Sequence, residues 1–287
     1  MPNLRDIRRR IRSVKSTQQI TKAMKMVAAA KLRRSQENMI AARPYATKML
    51  DVLNSLAARA DQELHPLLRV RPEKVVRVLV VTADRGLCAA FNTNILRRAA
   101  HFVAEREGLG QAVSLELAGR KSVDYFKRRP TPVEDTWTGL FNHLHYEDAD
   151  RIAGTLMRAY TEERCDAIYL IYNRFKSMIS QEVVVEPLLP ISRLEPAGES
   201  AGPDYLYEPT QQELFNTLLP RHVTFQVFRA LLESAAAENA ARMTAMESAT
   251  NNAGEMIDRL TLYANRVRQA AITKEIIEVV SGAQALG

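Results

Sequence analysis

Apolar and small residues near the start of the chain recur at helical intervals. Ile7, Ile11 and Val14, then Thr21, Met24 and Ala28, are spaced by three, four and seven positions, which keeps them on one helical face. Good helix formers continue through "VAAAKLRRSQENMIAA". Pro44 interrupts the pattern and predicts a kink or a short break, because proline lacks the amide that a helix interior needs. Met49, Val52, Leu53 and Leu56 then resume the period, and Pro66 and Pro72 bracket a linker.

The other end of the chain behaves in the same way. Pro220 precedes a segment with no further proline and a single glycine, Gly254, before Gly282. Its seam includes Phe228, Leu231, Ala235, Met243, Met246, Ala253, Met256, Leu260, Val267, Ile276 and Val280. About 60 residues of helix would span roughly 90 Å, and a helix of that length needs a partner for its apolar stripe. The first helix is the obvious one, which predicts an antiparallel coiled coil made from the two ends of the chain. Its many alanines permit close backbone approach but bury little area each, so the coil is expected to be weak for its length. Periodicity alone leaves an ordinary helical bundle as the alternative, although no third helix of similar length is visible.

Between the ends the period changes. "VVRVLVV" at Val75–Val81 is continuous, β-branched and short, the pattern of a buried strand. A turn, "TADRGLC", follows, with Asp84 and Gly86 as breakers. A helix is expected from about Asn94 to Arg106, a second strand at Ala112–Leu117, and a helix from about Asp148 to Glu163 with Ala149, Ile152, Leu156 and Tyr160 on one side. "AIYLIY" at Ala167–Tyr172 gives a third strand and "QEVVVEPLLP" from Gln181 a fourth. Strands alternating with helices predict a small parallel or mixed sheet covered by helices. The expected fold class is thus α/β: a long antiparallel coiled coil of N- and C-terminal helices plus a central small α/β (Rossmann-like) domain. The expected segments are an N-terminal coiled-coil helix (1–60), the α/β domain (73–192), a connecting loop (193–212) and a C-terminal coiled-coil helix (213–287).

Composition narrows the options. The chain has 287 residues, 46% hydrophobic and 25% charged, which is globular rather than disordered. No apolar run reaches the roughly 18 residues of a membrane-spanning helix, and Arg and Lys interrupt the start too often for a secretory signal. Two cysteines, Cys88 and Cys165, fit a reducing compartment and argue against a disulfide scaffold. The net charge of +7 is unevenly placed: residues 1–34 hold eleven Arg or Lys and one acid, Asp6, so the remainder is slightly acidic. The basic character is a local device.

Candidate chemistry is sparse. The turn after the first strand sits where α/β proteins often bind phosphate, but Gly86 has no partner glycines at fingerprint spacing, and neither G-x-x-x-x-G-K-[ST] nor G-x-G-x-x-G occurs. Asp84 and Arg85 are expected to hold that turn together or to face a partner. Cys88 lies beside Arg85, but no nearby histidine or partner cysteine supports a nucleophile, and a buried structural thiol is expected. His143 and His145 are weak metal candidates, and His65, His101 and His222 are isolated. No base, nucleophile and oxyanion site assemble at suggestive spacing. A basic helix could enter nucleic acid, but its apolar stripe needs a protein partner and aromatics are absent from residues 1–44. A basic coiled-coil scaffold or nucleic-acid-binding protein is the alternative reading. A cleavable address is disfavoured because the helix runs on into its packing face.

Three separated blocks carry a resemblance. They are "IRRRIRSVKSTQQITKAMKMVAAAKLRR", "TADRGLCAAFNTN" and "ITKEIIEVVSGAQAL". On these the chain resembles, nearly end to end, the gamma subunits of F-type ATP synthases. In the last block Thr273, Glu275, Glu278, Gly282 and Ala283 fill the family signature. Ala83, Ala89 and Ala90 replace small Ser and Gly residues of the middle motif, which narrows backbone freedom there. The redox-regulatory segment of the chloroplast version, with its paired cysteines, is absent, so the resemblance is to the bacterial type.

The resemblance implies a central rotor stalk, mechanically coupling rotation of a c-ring to ATP synthesis and hydrolysis, with no bond chemistry of its own. It implies as partners three alpha and three beta subunits around one stalk, an epsilon subunit and the c-ring. It implies no nucleic acid, no cofactor, no metal and no direct membrane insertion, and a peripheral place on the cytoplasmic face of the bacterial inner membrane. By the same resemblance Met24 and Lys25 lie near a beta contact. Arg268, Gln269 and Thr273 match a catch that hydrogen-bonds a beta loop, and Glu275 and Glu278 belong to the same partner-contact set. Ile276, Ile277, Val279 and Val280 match the tip held in a bearing. Met24 could equally be coil core, Lys25 and Arg268 solvated charges, and Ile276 and Val280 packing against the first helix.

Overall fold

The structure, a computed structural model, describes residues 4–57, 65–142, 144–191 and 210–284. The order of elements is α1 (Leu4–Ala57), β1 (Val75–Val81), α2 (Phe91–Gly108), β2 (Ala112–Ala118), α3 (Arg120–Phe126), β3 (Val133–Trp137), α4 (Tyr146–Thr161), β4 (Ala167–Phe175), β5 (Gln181–Leu189) and α5 (Gln211–Gln284). Most of the expected connecting loop, residues 193–209, and His143 lie outside the described residues.

The chain divides into two compact units, and both terminal helices contribute to each. One unit is Met1–Ala28 with Met243–Gly287; the other is Ala29–Arg242.

The larger unit is built on a five-stranded sheet in the order β3-β2-β1-β4-β5. β1 pairs in parallel with β2 and β4, β2 in parallel with β3, and β5 runs antiparallel to β4, so the sheet is mixed. Alternation along β1 sends Val76, Val78 and Val80 to one face and Leu79 and Val81 to the other. The first face packs on Ile95, Ala99 and Phe102 of α2 and on Phe126 of α3. The second packs on Ile152 and Leu156 of α4, on Met49 and Leu53 of α1, and on Phe215, Leu219 and Val223 of α5. A strand buried on both faces is why β1 reads as a run that is apolar apart from Arg77 rather than as an alternating one.

Several expectations are corrected here. α1 continues through Pro44 without the break considered there, and α5 begins at Gln211, so Pro220 lies inside the helix expected from 213. Each proline removes one amide donor, but Met49 and Leu53 beyond Pro44, and Phe215, Leu219 and Val223 around Pro220, are buried, and that packing outweighs the lost bond. β3 and α3 add to the expected list. β3 reads "VEDTW" and is mostly exposed at the sheet edge, so it carries no buried alternation to recognise. α3 spans seven residues, about two turns, too short for a periodic signal.

Gly119 ends β2 with φ of 97°, and a Cβ there would lie 2.1 Å from the Thr82 carbonyl oxygen. Only glycine fits this close approach of the β2–α3 connection to the end of β1.

Candidate functional site on the paired terminal helices

In the smaller unit the stripe read from the sequence faces its partner. Ile7, Thr21 and Ala28 of α1 are buried, and Ile11, Val14 and Met24 are half-buried. On α5, Met246, Ala253 and Ala264 are buried, with Ile257, Leu260 and Val267 half-buried. Met256 is a correction: it is 47% exposed while its neighbour Ile257 takes the packing position. A helix of 3.6 residues per turn drifts against a strict three-and-four alternation, and here the drift moves the seam by one residue.

Polar contacts fix the direction and register of the pair. The Thr21 and Thr250 hydroxyls meet at 2.7 Å, and the Thr250 hydroxyl lies 2.7 Å from the Met246 carbonyl oxygen, to which it donates. The Gln18 side-chain amide donates to the Thr250 carbonyl at 3.5 Å. Lys25 Nζ pairs with Glu247 at 2.6 Å. Going up α1 from Thr21 to Lys25 therefore goes down α5 from Thr250 to Glu247, which makes the pair antiparallel. Extending that register places Leu4 level with about position 267. α5 runs on to Gln284, and every described side chain after Val267 is exposed.

The residues singled out from the sequence fall into three groups. Met24 is half-buried in the coil, and Lys25, half-exposed, is tied to Glu247. Arg268, Gln269, Thr273, Glu275 and Glu278 all lie on the exposed extension. Thr273 donates to the Gln269 carbonyl at 2.9 Å, and Lys274 pairs with Glu278 at 3.4 Å. Ile276, Ile277, Val279 and Val280 lie there too, between 50% and 71% exposed, and do not pack against α1. The residue that reading by type missed is Glu247; its role depends on the register, which a single sequence leaves open. Along the first turns of α1, Arg8, Arg10, Arg12, Lys15 and Lys22 are exposed, so the cationic face stays outward.

The turn after β1, in the larger unit, is tied up by the chain itself. Asp84 accepts hydrogen bonds from the backbone amides of Arg120 and Gly139, each at 3.0 Å. Asn92 accepts from the Ala83 amide at 2.9 Å and donates to the Arg85 carbonyl at 3.4 Å. Arg242 donates to the Gly86 carbonyl at 3.2 Å. Leu87 and Ala89 adopt positive φ, 62° and 49°, the second at one of the alanines noted above. Cys88 and Cys165 are free and buried; burial raises both thiols, Cys165 to about 11, so neither is poised as a thiolate. Burial lowers His222 to about 4 and keeps it neutral. Among the described residues no group of His, Cys, Asp and Glu is placed to hold a metal ion, and no helix is long and apolar enough to cross a membrane.

Terminal helices paired antiparallel, with an α/β region between them in sequence and a last helix that outruns its partner, define the class: an α/β protein carried on a pair of long terminal helices. The comparisons with known proteins make this specific. The ATP synthase family model matches residues 3–286, and the chain belongs to the ATP synthase gamma-chain family. It is 52% identical over 289 residues to the gamma chain of Anaeromyxobacter sp. (strain Fw109-5), covering all of both chains. It is 53% identical over 290 residues to that of Solibacter usitatus (strain Ellin6076), covering 99% of each. Among solved structures it resembles a chain of the Tetrahymena thermophila mitochondrial ATP synthase central stalk and c-ring, with a TM-score of 0.60 and 26% identity over 80% of this chain and 99% of that one. A chain of the Euglena gracilis mitochondrial ATP synthase shares the fold at a TM-score of 0.67 and 18% identity, covering 99% of this chain and 94% of the other.

Proposed function

We propose that this chain works as the central rotor stalk of a proton-translocating F-type ATP synthase. It couples rotation of a c-ring to ATP synthesis and hydrolysis and is itself non-catalytic. The observation that carries the reading is the unpaired end of α5, considered together with membership of the gamma-chain family. A helix face bearing Ile272, Ile276, Ile277, Val279 and Val280 outside any described packing calls for a neighbour, since burying one such side chain contributes about 1.5–3 kcal/mol.

On this reading three alpha and three beta subunits surround the helix pair. Ile276, Ile277, Val279 and Val280 form the tip turning in a bearing, and Arg268, Gln269, Thr273, Glu275 and Glu278 present side chains to a beta subunit. The cationic face of α1, with Lys25 at its margin, meets acidic loops. Alanine-rich and charged surfaces suit a part that must turn, because large apolar knobs would trap it at one angle. The epsilon subunit and the c-ring would lie against the larger unit, at the cytoplasmic face of a bacterial inner membrane.

Replacing Met24 by Lys adds a like charge between Lys22 and Lys25 and beside the Lys25–Glu247 pair. The expected outcome, in assembled complex, is a lower ratio of protons pumped to ATP hydrolysed with the fold retained. An unchanged ratio would remove this position from the coupling surface. Recovery of the chain without a three-plus-three hexamer at one copy per ring would defeat the reading as a whole.

A further inference from the structure

The sheet of the larger unit holds an ionic cluster that the rotor function does not use. Glu116, on β2, is fully buried, and Arg77, on β1, is 4% exposed. Their closest approach is 3.4 Å from Arg77 Nη1 to Glu116 Oε1, a loose contact for an ion pair. The same guanidinium also serves Glu134 at 3.5 Å. Asp135, on β3, is the register partner of Glu116 across the β2–β3 pair. Two carboxylates therefore share one guanidinium, and a third, Asp135, neighbours Glu116 on the adjacent strand, where like charges repel. Glu116 Oε2, Arg77 Nε and the indole nitrogen of Trp137 are all buried without a hydrogen-bond partner. On the side nearest β4, Cys165 lies close to Arg77 and Glu116, with Arg71 and Asp166 beside it. From α4, Tyr160 turns its hydroxyl away, donating to the Arg69 carbonyl at 2.6 Å.

An ionised carboxylate fully out of water is costly unless its partner and remaining lone pairs are well satisfied. Here the partner is shared, the contact is long and one oxygen has no donor. A proton on Glu116 removes the buried charge and gives the carboxyl a donor of its own. We propose that Glu116, with Arg77 and Trp137 around it, is an internal proton-binding site of the α/β region, holding its proton in the folded chain when an ordinary glutamate would have lost it.

Burial is the largest cause and lifts Glu116 to about 7; the charge of Arg77 draws it back, and that of Asp135 pushes it further up. Since the folded value exceeds the unfolded one, the site's stabilisation is complete below the ordinary glutamate range and is lost as pH rises through about 7. The contribution of this one site to the larger unit is therefore greater on the acid side of neutrality.

Trp137 is the one tryptophan in the chain, so its emission reports on the surroundings of this carboxyl. The test is a fluorescence titration of the full chain from mild acid to mild alkali, with far-UV circular dichroism recorded in parallel. The expected result is one transition near pH 7 with constant helical signal. It should vanish in Glu116→Gln and move to lower pH in Asp135→Asn, which takes away a repelling charge at an exposed position. A flat emission profile, a transition that persists in Glu116→Gln, one that accompanies loss of helix, or an unmoved midpoint in Asp135→Asn would each overturn the proposal. Should Glu116→Gln fail to fold, the direction of the Asp135→Asn shift decides.

Discussion

Two stretches of the last helix invert what hydropathy alone would assign. Residues 231–241, "LLESAAAENAA", contain Glu233, Ser234, Glu238 and Asn239, yet every one of the eleven is buried. Residues 268–282, "RQAAITKEIIEVVSG", contain five Ile or Val, yet every one is exposed. Both are regular turns of the same α-helix, so backbone propensity does not separate them. Neighbours do. The first stretch is surrounded, with Leu231 in the core beneath one sheet face, Ala237 and Ala241 in the core of the other, and Ala236 and Ala240 against Leu32 of α1. Two of its polar groups survive burial because they are paired: Glu238 with Arg242 at 2.7 Å, and the Asn239 amide donating to the Ala235 carbonyl at 2.8 Å. The second stretch has passed the end of α1 and has nothing described to pack on. Alanine in the first stretch is what lets three sets of neighbours approach one helix, and isoleucine in the second is apolar area left exposed.

That contrast can be broken from either side. The largest expected effect is Leu231→Ala, which should cost about 2–5 kcal/mol in urea unfolding of the full chain, through lost transfer energy and a residual cavity. The twin truncation Ile276→Ala should leave stability within about 0.5 kcal/mol, because that side chain is already in water. Next comes Ala236→Leu, at a fully buried position, which should cost about 1–3 kcal/mol by overpacking, whereas Ala271→Leu on the extension should again be nearly silent. A large loss of stability from Ile276→Ala would mean that the extension is packed within the free chain and would undo the comparison.

Much of this was legible in the sequence. The α1 stripe of Ile7, Ile11, Val14, Thr21, Met24 and Ala28 faces its partner as its spacing requires, and β1, β2 and β4 lie where the apolar runs place them. What escaped were features whose signal lies in another segment. β3 is recognisable as a strand only through its bonds to β2, and Pro220 is tolerated only because Phe215, Leu219 and Val223 are covered. The partner-contact residues came from resemblance; the structure adds that Lys25 is already engaged by Glu247 while the group after Val267 is free of α1.

Periodicity, charge placement and motif blocks by themselves determined that this protein has two long terminal helices, a basic beginning, an inserted α/β region and a place in its family. These follow from local spacing, since a helix shows its buried face wherever apolar residues recur with its turn. The tertiary structure alone decided the register of the helix pair, hence where α5 outruns α1, and which polar groups, Glu116 and Glu238 among them, are drawn out of water. Those outcomes depend on distances between residues far apart in the chain, and burial belongs to the set of neighbours rather than to any one segment.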